Sequence, residues 1–195
     1  MQRCLKLGIN CLAVTDHNTI SGAREIKRIA PFTVIVGEEI LSTSGEIIGY
    51  FLTEEIPRHL SAEDTVKRIK AQGGLACIPH PFDRFRSNSH LRSDVLSKVM
   101  DHIDLIEVFN ARTLMLRDSQ RALRLAQDFN LPGTAGSDAH IIEEIGKCFI
   151  DMPEFNSIAE FKQSLRQGQI FRRRTTPIVH LYNTRNRLIK RLKRS

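Results

Sequence analysis

The chain has 195 residues, 41% of them hydrophobic and 26% charged, which is the composition of one ordinary globular domain. No apolar run approaches the roughly 18–20 residues that span a bilayer, and the start, Met1-Gln2-Arg3-Cys4-Leu5-Lys6, lacks the apolar core of a secretory signal. The net charge of +7 is uneven: the last thirty residues hold ten basic and no acidic side chains, while the other 19 basic and all 22 acidic residues lie in 1–165.

In chain order, residues 2–8 read as the end of a helix running into Ile9-Asn10. Cys11-Leu12-Ala13-Val14 is a short buried strand stopped by Thr15-Asp16-His17-Asn18. Residues 21–30 form a helix with Ala23, Ile26 and Ala30 on one face. Thr33-Val34-Ile35-Val36 is a β-branched strand ended by Gly37-Glu38-Glu39. Residues 46–52 form its hairpin partner through the turn at Ser44-Gly45. Ser61-Ala62-Glu63-Asp64 opens the next helix as a near capping box, and Gly73-Gly74 ends it.

Leu75-Ala76-Cys77-Ile78 is a strand closed by Pro79-His80-Pro81. A helix over 93–102 leads to the strand 105–109, which ends at Asn110. A helix over 114–129 precedes Pro132-Gly133-Thr134-Ala135 and then Gly136-Ser137-Asp138-Ala139-His140. A strand over 148–152, a capped helix over 157–166 and the segment 169–171 complete the body. Strands alternating with helices predict an α/β fold with parallel strands under helices. One domain over 1–171 and a basic tail over 172–195 are the expected organisation.

Metal-capable residues recur just past the ends of the apolar runs: Asp16 and His17, Glu38 and Glu39, His80, Asn110, then Asp138 and His140. A single residue of this kind is a strand-end turn or a helix cap. Five successive units ending this way predict one shared polar site, because α/β barrels assemble their sites at the C-terminal ends of several strands. Imidazoles with carboxylates suit zinc, manganese or iron. His59, His90, His102 and His180 fall in polar or helical contexts and read as surface residues. Ser137, Asp138 and His140 are neighbours, but Gly136-Ser137-Asp138 is no GxSxG elbow, which argues against a serine hydrolase. The widely spaced Cys4, Cys11, Cys77 and Cys148 read as reduced core thiols of a cytoplasmic protein.

The ordered set Thr15-Asp16-His17-Asn18-Thr19, Gly37-Glu38-Glu39-Ile40, Pro79-His80-Pro81, Glu107-Val108-Phe109-Asn110 and Gly136-Ser137-Asp138-Ala139-His140 resembles the PHP (polymerase and histidinol phosphatase) superfamily over about residues 5–150. The resemblance implies a distorted (β/α)7 barrel with a di- or trinuclear metal site that hydrolyses phosphate esters. It implies His17, Glu39, His80, Asp138 and His140 as metal ligands, with Glu39 bridging. Glu46 stands where many relatives carry a histidine, and is expected to coordinate through oxygen. Family members begin with a strand bearing His-x-His. That segment is not found ahead of residues 2–8, so the expectation is either an incomplete sequence, the favoured reading because a barrel without its first strand exposes an edge, or a site that has lost ligands and holds fewer ions.

The resulting expectation is a metal-dependent phosphoesterase acting on a small nucleotide, an oligonucleotide or a sugar or amino-alcohol phosphate. Asp138 and His140 are its catalytic residues, and Arg84, Asn110 and Arg112 bind substrate. Arg86 reads as a solvated loop residue. The competing expectation is a weakly active or inactive PHP-like binding module whose basic tail contacts nucleic acid or an anionic surface.

Overall fold

The aliphatic and β-branched runs of the sequence become the strands of one curled sheet. The structure is a computed structural model that describes residues 1–83, 85–86 and 90–172. Helix α1 (Gln2–Lys6) precedes β1 (Cys11–Val14), α2 (Ser21–Ile29), β2 (Thr33–Ser42) and β3 (Gly45–Tyr50). Then come α3 (Ala62–Ala71), β4 (Leu75–Ile78), α4 (Ser93–Val99), β5 (Leu105–Asn110) and α5 (Leu116–Asp128). The body closes with β6 (Gly133–Gly136), β7 (Cys148–Asp151), α6 (Ile158–Gln167) and β8 (Gln169–Arg172). The basic stretch from 173 onward and Arg84 lie outside the described residues.

Strands β1 to β6 pair in sequence order, and β7 pairs with β8 in a separate antiparallel ribbon. The pairs β1–β2, β4–β5 and β5–β6 are parallel, as a βα-repeating chain requires. The hairpin β2–β3 and the pair β3–β4 are antiparallel, so β3 runs against every other strand of the sheet. Strand β2 continues six residues beyond the four read as a strand in the sequence, because Gly37–Ser42 pair with β3. The result is an α/β half-barrel, the distorted barrel expected from the motifs. Among the described residues no strand lies between β1 and β6, which are the two edges.

The reversal at Ser44-Gly45 depends on glycine. Gly45 has φ +131°, and a Cβ there would stand 2.7 Å from the backbone of His90 and Leu91. The turn is tied by the Ser42 hydroxyl, which donates to the Gly45 carbonyl at 2.6 Å and accepts from the Ser44 amide at 3.1 Å.

Side chains alternate between the two faces of the sheet. Val36, Ile47, Ile78 and Ile106 pack with residues of α2 to α5, among them Ala23, Val66, Val95 and Ala122. Ile35, Ile48, Leu75, Cys77 and Leu105 face the other way, under Phe161 and Leu165 of α6. On that second face the apolar residues give way to carboxylates, at Glu39 in β2, four positions past Ile35, and at Glu107 in β5, two past Leu105. Because β3 runs backwards, its Glu46 stands two residues before Ile48 and reaches the same end. The four cysteines are free thiols, three of them buried. Among the described residues no helix is long and apolar enough to cross a membrane.

Candidate metal centre

His17 is placed by an extension of the β1–β2 ladder. The Asn18 amide donates to the Glu39 carbonyl at 3.0 Å, and the Glu39 amide donates to the Asp16 carbonyl at 3.1 Å. Asn18 takes φ +55°, a conformation asparagine tolerates, and its side-chain oxygen accepts from the Leu41 amide at 2.9 Å. His80 follows β4 at φ +30°. Its amide donates to Glu107 Oε2 at 2.9 Å, which offsets part of the cost of that strained backbone.

The two imidazoles close on the two carboxylates from opposite sides. His17 Nδ1 stands 3.1 Å from Glu39 Oε2 and 3.6 Å from Glu46 Oε1. His80 Nε2 stands 3.2 Å from Glu39 Oε1 and 3.4 Å from Glu46 Oε2. One ligand atom each of His17, Glu39 and Glu46 fall within 4.8 Å of one another. Glu39, Glu46 and His80 are buried, while the His17 side chain is 46% exposed. Two neutral imidazole nitrogens and two carboxylates converging in this way fit a divalent zinc, manganese or iron ion. Burial alone would depress the His80 imidazolium, but its hydrogen bonds to Glu39 and Glu46 outweigh that and push it up to about 10. The carboxylate pair thus draws a cation of some kind, a proton where no metal is bound.

A second polar group adjoins the first through the His17 and His140 rings, whose centroids are 6.1 Å apart. Asp138 takes φ +49° at the end of β6. Its Oδ2 accepts from Arg86 and, at 3.3 Å, from the Asn110 amide. Asn110 also donates to Glu107 Oε2 at 3.1 Å. Burial would raise the Asp138 carboxyl, but the Arg86 guanidinium beside it holds it below the usual carboxylate range. Burial pushes the Glu107 carboxyl up. His140 Nδ1 lies 2.9 Å from the Asp138 carbonyl and also meets Arg112. Glu144, buried, accepts from the His140 amide at 2.7 Å. Gly136 leaves room for Glu107: a Cβ there would stand 2.6 Å from Glu107 Oε1.

Of the residues expected to bind metal, His17, Glu39, Glu46 and His80 form one cluster, and Asp138 and His140 form the neighbouring one. Asn110 and Arg112 fall in the second group, while the Arg84 expectation lies outside the described residues. The reading of Arg86 as a solvated loop residue is corrected. Its side chain is only 21% exposed and pairs with both Asp83 and Asp138, because the turn after His80 folds it back over the carboxylates. Glu107 was in the quoted motif without a role; its period-two spacing from Leu105 was the available signal. Glu144 carried no signal, since its partner is a backbone amide set by the loop. An open cavity of about 410 Å³ adjoins His17 and is lined also by Asn18, Glu55, Ile56, Pro57 and Arg58.

Residues 117–170 match the PHP-associated family model. Two uncharacterized proteins of Methanocaldococcus jannaschii are similar, MJ0417 at 37% identity over 78% of this chain and MJ1587 at 46% over 54%. The chain spans 62% and 61% of the lengths of these relatives. Among solved structures, PsfC from Pseudomonas syringae superposes with a TM-score of 0.67 at 17% identity, over 96% of this chain and 86% of its own. A two-domain protein from Bacteroides vulgatus, described as containing a predicted PHP-like metal-dependent phosphoesterase, gives 0.65 at 18%, over 85% and 56%. These matches give the chain the fold of the PHP-like structure from Bacteroides vulgatus, and within it residues 117–170 match the PHP-associated family model.

Proposed function

We propose that the chain is a metal-dependent phosphoesterase that hydrolyses a phosphate mono- or diester. The observation that carries this reading is the pair of carboxylates Glu39 and Glu46 shared between His17 and His80, with Asp138, His140 and two arginines beside it. His17 Nδ1, His80 Nε2 and the carboxylates of Glu39 and Glu46 would hold divalent metal, with Asp138 as a further candidate ligand. Such an ion supplies Lewis acidity toward phosphate oxygens and a more acidic bound water.

The protein's own groups do the rest. Arg112, next to His140, presents a fork suited to two phosphate oxygens, and Arg84, four residues after His80 in the sequence, is a further candidate. Asn110, whose Nδ2 donates to Glu107 and Asp138 and whose Oδ1 accepts from the Arg112 amide, serves substrate binding by positioning Arg112 beside Asp138. In the overall change, water replaces the ester oxygen at phosphorus. His140, oriented at Nδ1 by the Asp138 carbonyl, is the residue placed to hand a proton to the departing oxygen. Asp138, kept ionised by Arg86, holds that edge of the site negative.

The direct test is phosphate release from a panel of nucleotide, oligonucleotide and sugar phosphates with added Mn²⁺. His80→Ala and Asp138→Ala are each expected to lower turnover by about 10²-fold or more. Activity that survives either change overturns the assignment of that residue. A second reading, a PHP-like binding module, is favoured by one observation: Asp138 is engaged by Arg86 and Asn110 instead of joining the first cluster. Elemental analysis separates the two, since less than one ion per chain supports the module. We assign the hydrolytic unit to residues 1–171 and treat 172–195 as an appended basic segment. Salt-sensitive DNA or RNA binding that disappears on removing 172–195 is the check on that segment's partner.

A further inference from the structure

Behind the metal ligands lies a small polar space that the reaction above leaves unused. A cavity of about 10 Å³, room for one water molecule, is lined by His80, Asp83, Glu107, Thr113, Asp118 and Ser119 together with apolar neighbours. Three of these side chains bring buried polar atoms that have no hydrogen-bond partner among the described residues: His80 Nδ1, both carboxylate oxygens of Asp118 and the Ser119 hydroxyl. Asp118 is 3% exposed, His80 4% and Ser119 7%. The Arg117 guanidinium stands 3.9 Å from Asp118 Oδ1, beyond hydrogen-bonding reach.

The other lining groups are already engaged. Thr113 donates to Asp83 at 3.2 Å, and Glu107 accepts from the His80 amide and from Asn110. Leaving a carboxylate and an imidazole nitrogen buried and unpaired is costly. A single water meets all three needs: it accepts from the His80 Nδ1–H and the Ser119 hydroxyl and donates to the Asp118 carboxylate.

We infer that this cavity is a water site through which Asp118 acts as a positioning residue for His80. By keeping the proton on Nδ1, the pair Asp118 and water leaves Nε2, the nitrogen that faces Glu39 and Glu46, free to coordinate. Imidazole ligands commonly hand their second N–H to a carboxylate or a water, and losing that partner weakens metal binding about 10–100-fold.

The inference rests on the reading of His80 as a ligand, and the experiment separates the two. Mn²⁺ is titrated into the metal-stripped full chain for wild type, His80→Ala, Asp118→Asn and Ser119→Ala. Asp118→Asn is expected to weaken Mn²⁺ binding about 10–100-fold while the melting temperature of the metal-free chain stays unchanged; Ser119→Ala gives a smaller loss. If His80→Ala binds Mn²⁺ like wild type, the reading of the centre itself falls. If His80→Ala loses Mn²⁺ but Asp118→Asn keeps full affinity, the coupling is overturned and the centre stands. Should Asp118→Asn fail to fold, ring ¹⁵N spectra of His80 in the zinc-loaded wild type decide. A protonated, slowly exchanging Nδ1 supports the inference, and an unprotonated Nδ1 overturns it.

Discussion

His80 carries more of the site's electrostatics than any other single residue described. It is buried, its backbone is strained at φ +30°, and it faces two carboxylates. In the metal-free chain its imidazolium is raised to about 10 by Glu39 and Glu46, against the desolvating effect of burial. A group whose folded pKa lies above its unfolded value of about 6.5 stabilises the fold fully below that value, and this stability is lost as pH rises through about 10. The urea midpoint of metal-stripped protein is therefore expected to fall between pH 7 and pH 10, and His80→Gln should flatten that slope. A midpoint indifferent to pH would show that the imidazolium is not held as described. Metal and proton compete for the same pocket, so Mn²⁺ binding should release a proton near pH 7 and tighten as pH rises. Gly136→Ala tests the neighbouring group. Its methyl would press on Glu107, which holds both the His80 amide and Asn110, so weakened Mn²⁺ binding is the expected result.

Among elements, the reversed strand β3 decides the ligand set. In the β2–β3 register Glu39 opposes Ile48 and Glu46 opposes Leu41, which places the two glutamates diagonally on one face. Gly45→Ala strikes the turn that sets this register and should cost both stability and metal affinity, read by thermal melting and Mn²⁺ titration. Two other elements are fixed by local devices. Ser61 caps α3 by accepting from the Asp64 amide at 3.0 Å, and Ser61→Ala should lower stability by about 1 kcal/mol. Asp104, before β5, takes Lys70 of α3 at 2.6 Å, Lys162 of α6 at 3.1 Å and the Ala76 amide at 3.0 Å. Removing it leaves that amide and two lysines unpaired, so Asp104→Ala should cost about 2 kcal/mol in denaturant unfolding while leaving Mn²⁺ affinity unchanged.

For the molecule as a whole, a metal ion bound as proposed would be a stabilising link as well as a chemical one. His17 follows β1, Glu39 and Glu46 belong to β2 and β3, and His80 follows β4, so a bound ion ties four successive strands. Binding to the folded chain alone stabilises it by about 2.7 kcal/mol when the metal is at a hundred times its dissociation constant. Mn²⁺ should therefore raise the melting temperature of wild type and leave that of the double variant Glu39→Gln, Glu46→Gln unmoved.

Local patterning was enough to read much of this from the chain. β1 and β4 stand where the apolar runs put them, α3 begins at its serine cap, and the polar residues past each run mark the end of the sheet where the site forms. These features are set by side-chain periodicity and turn chemistry within a few residues, which is why one sequence suffices for them. The tertiary structure alone decided which polar residues meet. Arg86 is a loop arginine by local context, yet it is half-buried and paired with Asp138. Glu107 is a strand residue without a role until Gly136 and His80 close around it. Asp118 is an ordinary first-turn aspartate of α5 until the helix packs against β5 and buries it beside His80. Such pairings arise between segments tens of residues apart. Burial, which makes an unpaired charge costly, is a property of the packed barrel and not of any stretch of sequence.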